Sequence, residues 1–364
     1  MKIRAVFDRF SPYEWEMSPE EIAKVAKIPV GDVIRLDTNT SPFIPEKWLR
    51  TLSKDVHKLP VNQYPDTRYT ELTRYISRYC GVKDENIIVA SGADEAIDII
   101  IKTIVDYDDK VVLSTPSYPM FRIASQIAGG KTINVPRRNS PPFADDVDGI
   151  IHTSKENRAS AVFLCNPNNP TGTFLEIDQI RRIVEELDCG VVVDEAYFEY
   201  CGKTAIKLIN EHPNLFIIRT LSKAFSLAGA RIAYILANEE TANKLNYVRP
   251  PNSLSVISIR LGIIALSDVR QVNRWVKYIL KERDRCFKAL SSMRNVKPYP
   301  SVANFILFRL LKGNSEEVYR QLLTKGISIR NLNGVEMLDN CMRVTIGSKK
   351  QNNRFLSELK RIVD

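Results

Sequence analysis

Histidine is scarce in this chain. Only His57, His152 and His212 occur among 364 residues, and they are scattered, so a histidine-rich metal centre or a histidine-based catalytic triad has little to build on. Cysteine offers no alternative. The six (Cys80, Cys165, Cys189, Cys201, Cys286, Cys341) lie far apart without a C-x-x-C pair. Three of them sit in apolar, strand-like runs where reduced, buried thiols are common, so neither a disulfide framework nor a zinc site is expected. No stretch approaches the roughly 18 consecutive apolar residues that span a bilayer. The start Met1-Lys2-Ile3-Arg4 lacks the apolar run and cleavage site of a signal peptide, and a cytoplasmic protein without a membrane partner is expected. Internal repeats and low-complexity tracts are missing too. The net charge of +9 comes from 52 basic residues dispersed among 43 acidic ones, which reads as a solvated basic surface rather than a nucleic-acid footprint. Such a surface suits anionic small molecules.

What is present is a large apolar fraction. At 44% hydrophobic and 26% charged, the chain is able to bury a large core, and its length predicts one large domain plus a smaller one. Short apolar runs at 87–90, 110–114, 131–135, 161–165, 191–194, 215–219 and 231–236 alternate with helical patterns such as 94–105 and 176–187. The first of these helices carries an apolar face at Ile97, Ile100, Ile101 and Ile104. This succession predicts a doubly wound α/β fold with a mostly parallel sheet flanked by helices. After Pro250-Pro251 the texture changes to a long helical stretch at 255–293 and short strands near 304–308, 327–329 and 343–346. The predicted division is a segment 1–45 packing on the small domain or on a neighbouring subunit, a large domain 46–250 and a small α+β domain 251–364.

In open α/β sheets ligands bind beyond the carboxyl ends of the strands, so the polar residues closing each apolar run are the candidates. Ser91-Gly92-Ala93-Asp94 opens a helix after 87–90, and a glycine turn there aims backbone N–H groups and a positive helix end at an anion. Cys165-Asn166-Pro167-Asn168-Asn169-Pro170-Thr171-Gly172 is a rigid, non-helical turn carrying amides. Asp194-Glu195-Ala196-Tyr197 puts a carboxylate at the end of a strand buried on both faces. That acid needs a partner, either a structural arginine or helix cap, or a cationic heterocycle. Ser222-Lys223-Ala224-Phe225 follows a core strand, with Arg231 eight residues on, at the start of the next run. Partial desolvation and cationic neighbours lower a lysine pKa and free the amine to form an imine. Each turn alone also fits a plain structural role. Together they supply an imine-forming lysine, an anion cradle, an acid and amide or phenol donors, which an aldehyde cofactor with a phosphate tail and a pyridine ring requires.

From about Leu36 to Val363 the chain resembles the class I/II, fold-type I aminotransferases, and within them the histidinol-phosphate aminotransferase family. The segment Arg219-Thr220-Leu221-Ser222-Lys223-Ala224-Phe225-Ser226-Leu227-Ala228-Gly229-Ala230-Arg231 carries the resemblance most specifically. The resemblance implies pyridoxal 5'-phosphate (PLP) joined to Lys223, which also moves the α-proton. Ser222, Arg231 and the turn Gly92, Ala93 and Asp94 would hold the phosphate. Asn169 and Tyr197 would hydrogen-bond the ring hydroxyl, Asp194 would pair with the ring nitrogen, and Tyr118 would stack on the ring. Tyr64 would reach the cofactor phosphate of the other subunit of a homodimer with shared sites. Arg343 and Arg330 would bind substrate anions, and Tyr13 and Asn39 fall at further substrate positions. No metal is implied.

The implied reaction is histidinol phosphate plus 2-oxoglutarate to imidazole-acetol phosphate and glutamate. Other readings are an aromatic or general amino-acid aminotransferase, a threonine-phosphate decarboxylase, or a non-catalytic ligand-binding protein on the same scaffold. One departure bears on substrate: where the family reads Asn-Glu-Asn-Pro, this chain has Asn39-Thr40-Ser41-Pro42.

Overall fold

Backbone alternation sends successive side chains of a strand to opposite faces, so apolar residues at every position require cover on both sides. The computed structural model, which describes residues 3–8, 11–140 and 142–364, supplies that cover. Met1 and Lys2 of the N-terminal start lie outside the described residues. The strands are β1 (Ile34–Leu36), β2 (Ile87–Ala90), β3 (Lys110–Thr115), β4 (Lys131–Pro136), β5 (Ala161–Cys165) and β6 (Gly190–Asp194). They continue with β7 (Leu215–Thr220), β8 (Ala233–Leu236), β9 (Val296–Pro298), β10 (Phe305–Leu310), β11 (Ile327–Asn331) and β12 (Cys341–Thr345).

Seven strands form one sheet in the order β2-β8-β7-β6-β5-β3-β4. Pairing is parallel from β4 across to β7, and β8 runs antiparallel to both β7 and β2. In the central strands Val191, Val193, Leu215 and Ile217 feed one core, while Val192, Phe216 and Ile218 feed the other. The first core is closed by helices Val147–Glu156 and Ile177–Glu186 through Ile150, Ile151, Ile180 and Ile183. Helices Ala93–Ile104 and Pro119–Ala128 close the second through Ile97, Ile100, Ile101 and Phe121. Full burial of each such aliphatic side chain contributes about 1.5–3 kcal/mol. The α/β architecture with a mostly parallel, helix-flanked sheet is therefore as read from the sequence.

The second sheet has the order β1-β11-β12-β10-β9, antiparallel except for β1 beside β11. Neither β1 nor β9 was anticipated, because three residues are too few to display an alternation. Helix Pro19–Ala26 packs on helix Ser315–Thr324 next to this sheet.

Two local expectations need correction. The stretch 255–293 is two helices, Val256–Leu266 and Val269–Ser291. At the break, Asp268 accepts hydrogen bonds from Lys47 Nζ (2.8 Å) and Trp48 Nε1 (3.2 Å), so its side chain ties the corner to helix Glu46–Asp55 instead of continuing the helix. The run 231–236 becomes a strand only from Ala233, because Arg231 takes a left-handed φ of 53° at the end of the turn Ala228–Ala230.

Beneath the strand ends lies a dry ion pair. Arg219 Nη2 on β7 stands 2.9 Å from Glu195 Oε2, with side chains 3% and 1% exposed. Ala205 N–H and Thr204 Oγ1 donate to the same carboxylate, each at 2.8 Å. The Arg219 guanidinium also lies 3.6 Å from the Phe198 ring centroid. Glu195→Ala strands a buried guanidinium and is expected to destabilise the protein by about 3–5 kcal/mol. Urea unfolding measures this, and a loss as small as the roughly 1 kcal/mol of a surface pair would contradict it.

Candidate active site

Parallel pairing in register aligns the strand exits. Cys165, which ends β5, pairs with Asp194, which ends β6, and Asp194 pairs with Ile218, two residues before β7 ends at Thr220, so the three strands leave the sheet side by side at the same edge. Asp194 is 4% exposed and its Oδ1 accepts the Ala196 N–H at 3.0 Å. Burial pushes its pKa up to about 7 against the opposing pull of that hydrogen bond and of Lys223. Lys223 Nζ donates to the Thr38 carbonyl at 3.1 Å and lies 5.8 Å from the Tyr197 ring centroid. Burial, reinforced by the charge of Arg343, pushes its pKa down to about 8. Tyr197 is buried, and its hydroxyl accepts Asn39 Nδ2–H at 2.9 Å.

The exit of β2 has an open turn. Gly92 adopts a φ of 86°, and a Cβ there would overlap the Arg231 guanidinium, so glycine is what lets that cation lie over the start of helix Ala93–Ile104. The first N–H groups of a helix have no intrahelical acceptor, which suits an anion held between them and a guanidinium. Asp94 sits in the same place, 3.3 Å from Arg231 Nη2, and accepts the Tyr118 hydroxyl at 2.8 Å. Ser222 is buried and its Oγ accepts from Thr220 Oγ1 at 2.9 Å.

The second sheet closes the site from above. Arg343 on β12 is buried, donating from Nη1 to Asn169 Oδ1 and from Nη2 to the Asp37 carbonyl, while its Nε has no partner. Burial disfavours its charged form, and nearby Arg330 adds to that effect. Arg330 lies opposite Arg343 in the β11–β12 register and is held by Glu16 (3.1 Å) and Glu14 (3.4 Å).

A cavity of about 270 Å³ gathers Lys223, Asp194, Tyr197, Asn169, Ser222, Arg231, Ala93, Asp94, Tyr118, Asn39, Tyr13 and Arg343 along its walls. Gly92 lies under Arg231 rather than on the wall. Arg330 lines an adjoining cavity of about 760 Å³ that shares Tyr13, Glu16, Tyr118, Asn169 and Arg343 with the first. Tyr64 is 83% exposed and lines neither. Thr220, Cys165 and Ala196 also line the smaller cavity and belong to segments read from the sequence without a role of their own, whereas Thr38 and Glu16, on the same wall, escaped that reading. Thr38 acts through its carbonyl, which no side-chain pattern signals. Glu16 belongs to a charged N-terminal stretch whose position depends on distant Arg330. The donor set fits an aldehyde bearing a phosphate and a basic ring: a desolvated amine, a buried acid, and a cation above a glycine-opened helix start.

The model for the aminotransferases of class I and II matches residues 31–359. The chain belongs to this family. It is 39% identical to the histidinol-phosphate aminotransferase of Thermoanaerobacter pseudethanolicus, covering 90% of this chain and 93% of that one. It is 36% identical to the histidinol-phosphate aminotransferase of Ruminiclostridium cellulolyticum, covering 98% and 97%. The solved Sinorhizobium meliloti histidinol-phosphate aminotransferase in complex with pyridoxal-5'-phosphate superposes with a TM-score of 0.89 at 25% identity, covering 100% and 97%.

In this class I and II aminotransferase the altered segment after Asp37 has a place of its own. Ser41 accepts a hydrogen bond from Ser226 in the loop that follows Lys223, and the Thr38 and Thr40 hydroxyls are 3.1 Å apart. The Ser41 hydroxyl thus ties the segment to the lysine loop, while the threonine pair braces the segment itself.

The depressed pKa of Lys223 has a direct readout. In the cofactor-free aminotransferase, imine formation with an added aldehyde should rise through an inflection near pH 8, because only the neutral amine attacks. Arg343→Ala removes a repelling charge and should move the inflection upward. Stopped-flow absorbance across a pH series measures both, and an inflection near the ordinary lysine value of roughly 10.4 would refute the dry-amine description.

Proposed function

We propose that this aminotransferase holds PLP on Lys223 and transfers the amino group of histidinol phosphate to 2-oxoglutarate, yielding imidazole-acetol phosphate and glutamate. The observation that carries the proposal is a desolvated lysine and a buried carboxylate facing one cavity, with two arginines on its substrate side. The relatives' names favour the phosphorylated substrate. When bound, PLP supplies an aldehyde that takes the amine and a ring that accepts the electron pair left by the departing α-proton.

Lys223 would hold the cofactor through its amine and would move the α-proton as general base; its pKa near 8 keeps a useful fraction neutral around neutral pH. Asp194 would pair with the ring nitrogen. Next to a pyridinium its carboxylate regains a counter-charge, so its pKa falls below the value near 7 set by burial and it stays ionised. Asn169 and Tyr197 would hold the ring hydroxyl and Tyr118 would cover the ring. Ser222, Arg231 and the turn from Gly92 to Asp94 take the phosphate.

Asn39 holds Tyr197 from the substrate side. Arg343 grips the carboxylate of glutamate or 2-oxoglutarate, which matches its unpartnered Nε, while Arg330 and Tyr13 meet the phosphate of histidinol phosphate. We also infer a homodimer in which Tyr64 of the partner subunit reaches the cofactor phosphate; exposure of Tyr64 in the single chain suits this. Placement in the cytoplasm, and a division into segment 1–45, large domain 46–250 and small domain 251–364, belong to the same proposal. No helix among the described residues is long and apolar enough to cross a membrane.

The test is a half-reaction screen. Histidinol phosphate, phenylalanine, aspartate and O-phosphothreonine are mixed separately with holoenzyme, and conversion to the aminated cofactor is followed by absorbance alongside carbon dioxide release. Histidinol phosphate should react fastest. If it ranks among the poorest amines the substrate proposal fails, and carbon dioxide from O-phosphothreonine would point to decarboxylation instead. Lys223→Ala should abolish the imine absorption band and lower turnover by at least about a hundredfold; an unchanged band would remove Lys223 from its role.

A further inference from the structure

Residues 11–17 run as an irregular strap between two fixed points. Arg122 Nη2 holds the Ser11 carbonyl at 3.0 Å at one end, and the Ser18-capped helix Pro19–Ala26 begins at the other. Between these points the strap grips one cation. Glu16 Oε1 receives both Arg330 Nη1 (3.1 Å) and the Tyr13 hydroxyl (2.7 Å). Glu14 adds its carboxylate and its carbonyl to the same guanidinium, at 3.4 to 3.5 Å.

The reason for this grip lies in the sheet. Arg330 and Arg343 are direct cross-strand partners, and like charges placed opposite each other are destabilising. The strap carboxylates offset that repulsion. An anionic end of a substrate approaching Arg330 finds its Nη atoms already engaged and a negative charge beside them. It either displaces the carboxylates or is repelled.

We propose that Glu16, assisted by Glu14, makes residues 11–17 a substrate-displaced strap: its carboxylates occupy Arg330 in place of a phosphate and yield to the phosphate of a phosphorylated amine. This deepens the reading of the cavity as a site for such an amine and rests on it. Strap and phosphate compete for one guanidinium, so each weakens the other by the same factor. Glu16 thereby sets how strongly a remote anion must bind before it is admitted, which makes it a specificity-determining residue.

The reporter is already in the strap. Trp15 is 85% exposed and edge-on to Tyr13 at 5.8 Å, whereas Trp48 is buried and Trp275 stacks on Phe43. Holoenzyme, in which the cofactor phosphate would occupy the Gly92–Arg231 turn, is titrated with inorganic phosphate while tryptophan emission is recorded against a Trp15→Phe control. The wild type should show a saturable change that Arg330→Gln abolishes. Glu16→Gln should bind phosphate about three- to tenfold more tightly, and Glu14→Gln/Glu16→Gln more tightly still. Unchanged or weaker phosphate binding in Glu16→Gln would overturn the proposal, because Glu16 would then be orienting Arg330 rather than competing for it. Absence of any saturable change in the wild type would overturn it as well. The titration requires no turnover, so failure of the strap is distinguishable from failure of histidinol phosphate as substrate.

Discussion

Parallel, in-register pairing of β5, β6 and β7 is the constraint from which the site follows. It sets the exits of three neighbouring strands side by side at one edge of the sheet, with β7 running two residues past the paired ends of β5 and β6, so that the Asn169 turn, Asp194 and the Lys223 loop meet without any long loop having to find its place. The apolar strands that impose this alignment also dry the site. Burial alone pulls Lys223 and Asp194 in opposite directions, toward the uncharged forms of both. A low-dielectric pocket containing an easily neutralised amine and a reluctant acid is prepared for a polar guest that restores charge to the acid.

The second sheet contributes a different kind of control. Its two arginines come from neighbouring strands and face the same space, but their surroundings differ. Arg343 is buried and clamped between the β5 turn and the Asp37 carbonyl, so it joins the two sheets across the cavity. Arg330 is one strand further out and answers to the N-terminal strap. The two cations therefore differ in stiffness, one locked between the sheets and the other held by a segment outside them.

The parts legible in the sequence were those written in local pattern. Apolar runs ending in polar residues located β2 to β7 to within a residue, and the chemistry at their ends followed from turn and charge chemistry at Gly92, Asn169, Asp194 and Lys223. What escaped was written in pairings between distant segments. Thr38 enters through a carbonyl 185 positions from the lysine it meets, and Glu16 matters only because Arg330, 314 positions away, folds onto it. The break at Ser267-Asp268 was invisible for a similar reason: nothing local stops that helix, and the side chains that hold the corner belong to helix Glu46–Asp55. The apolar flanks of Arg231 read as strand, yet it ends a turn that lays its guanidinium over Gly92.

Three non-glycine residues beside the cavity, Asn39, Ser226 and Arg231, hold left-handed backbone angles of 54°, 57° and 53°. Such conformations cost a side-chain-bearing residue on the order of 1 kcal/mol each. Glycine at any of the three would relieve the chain and erase the amide, the hydroxyl or the guanidinium that the position presents. Thermostability engineering guided by backbone geometry alone would therefore select against the catalyst, and a more robust but idle protein is the natural end point of that route.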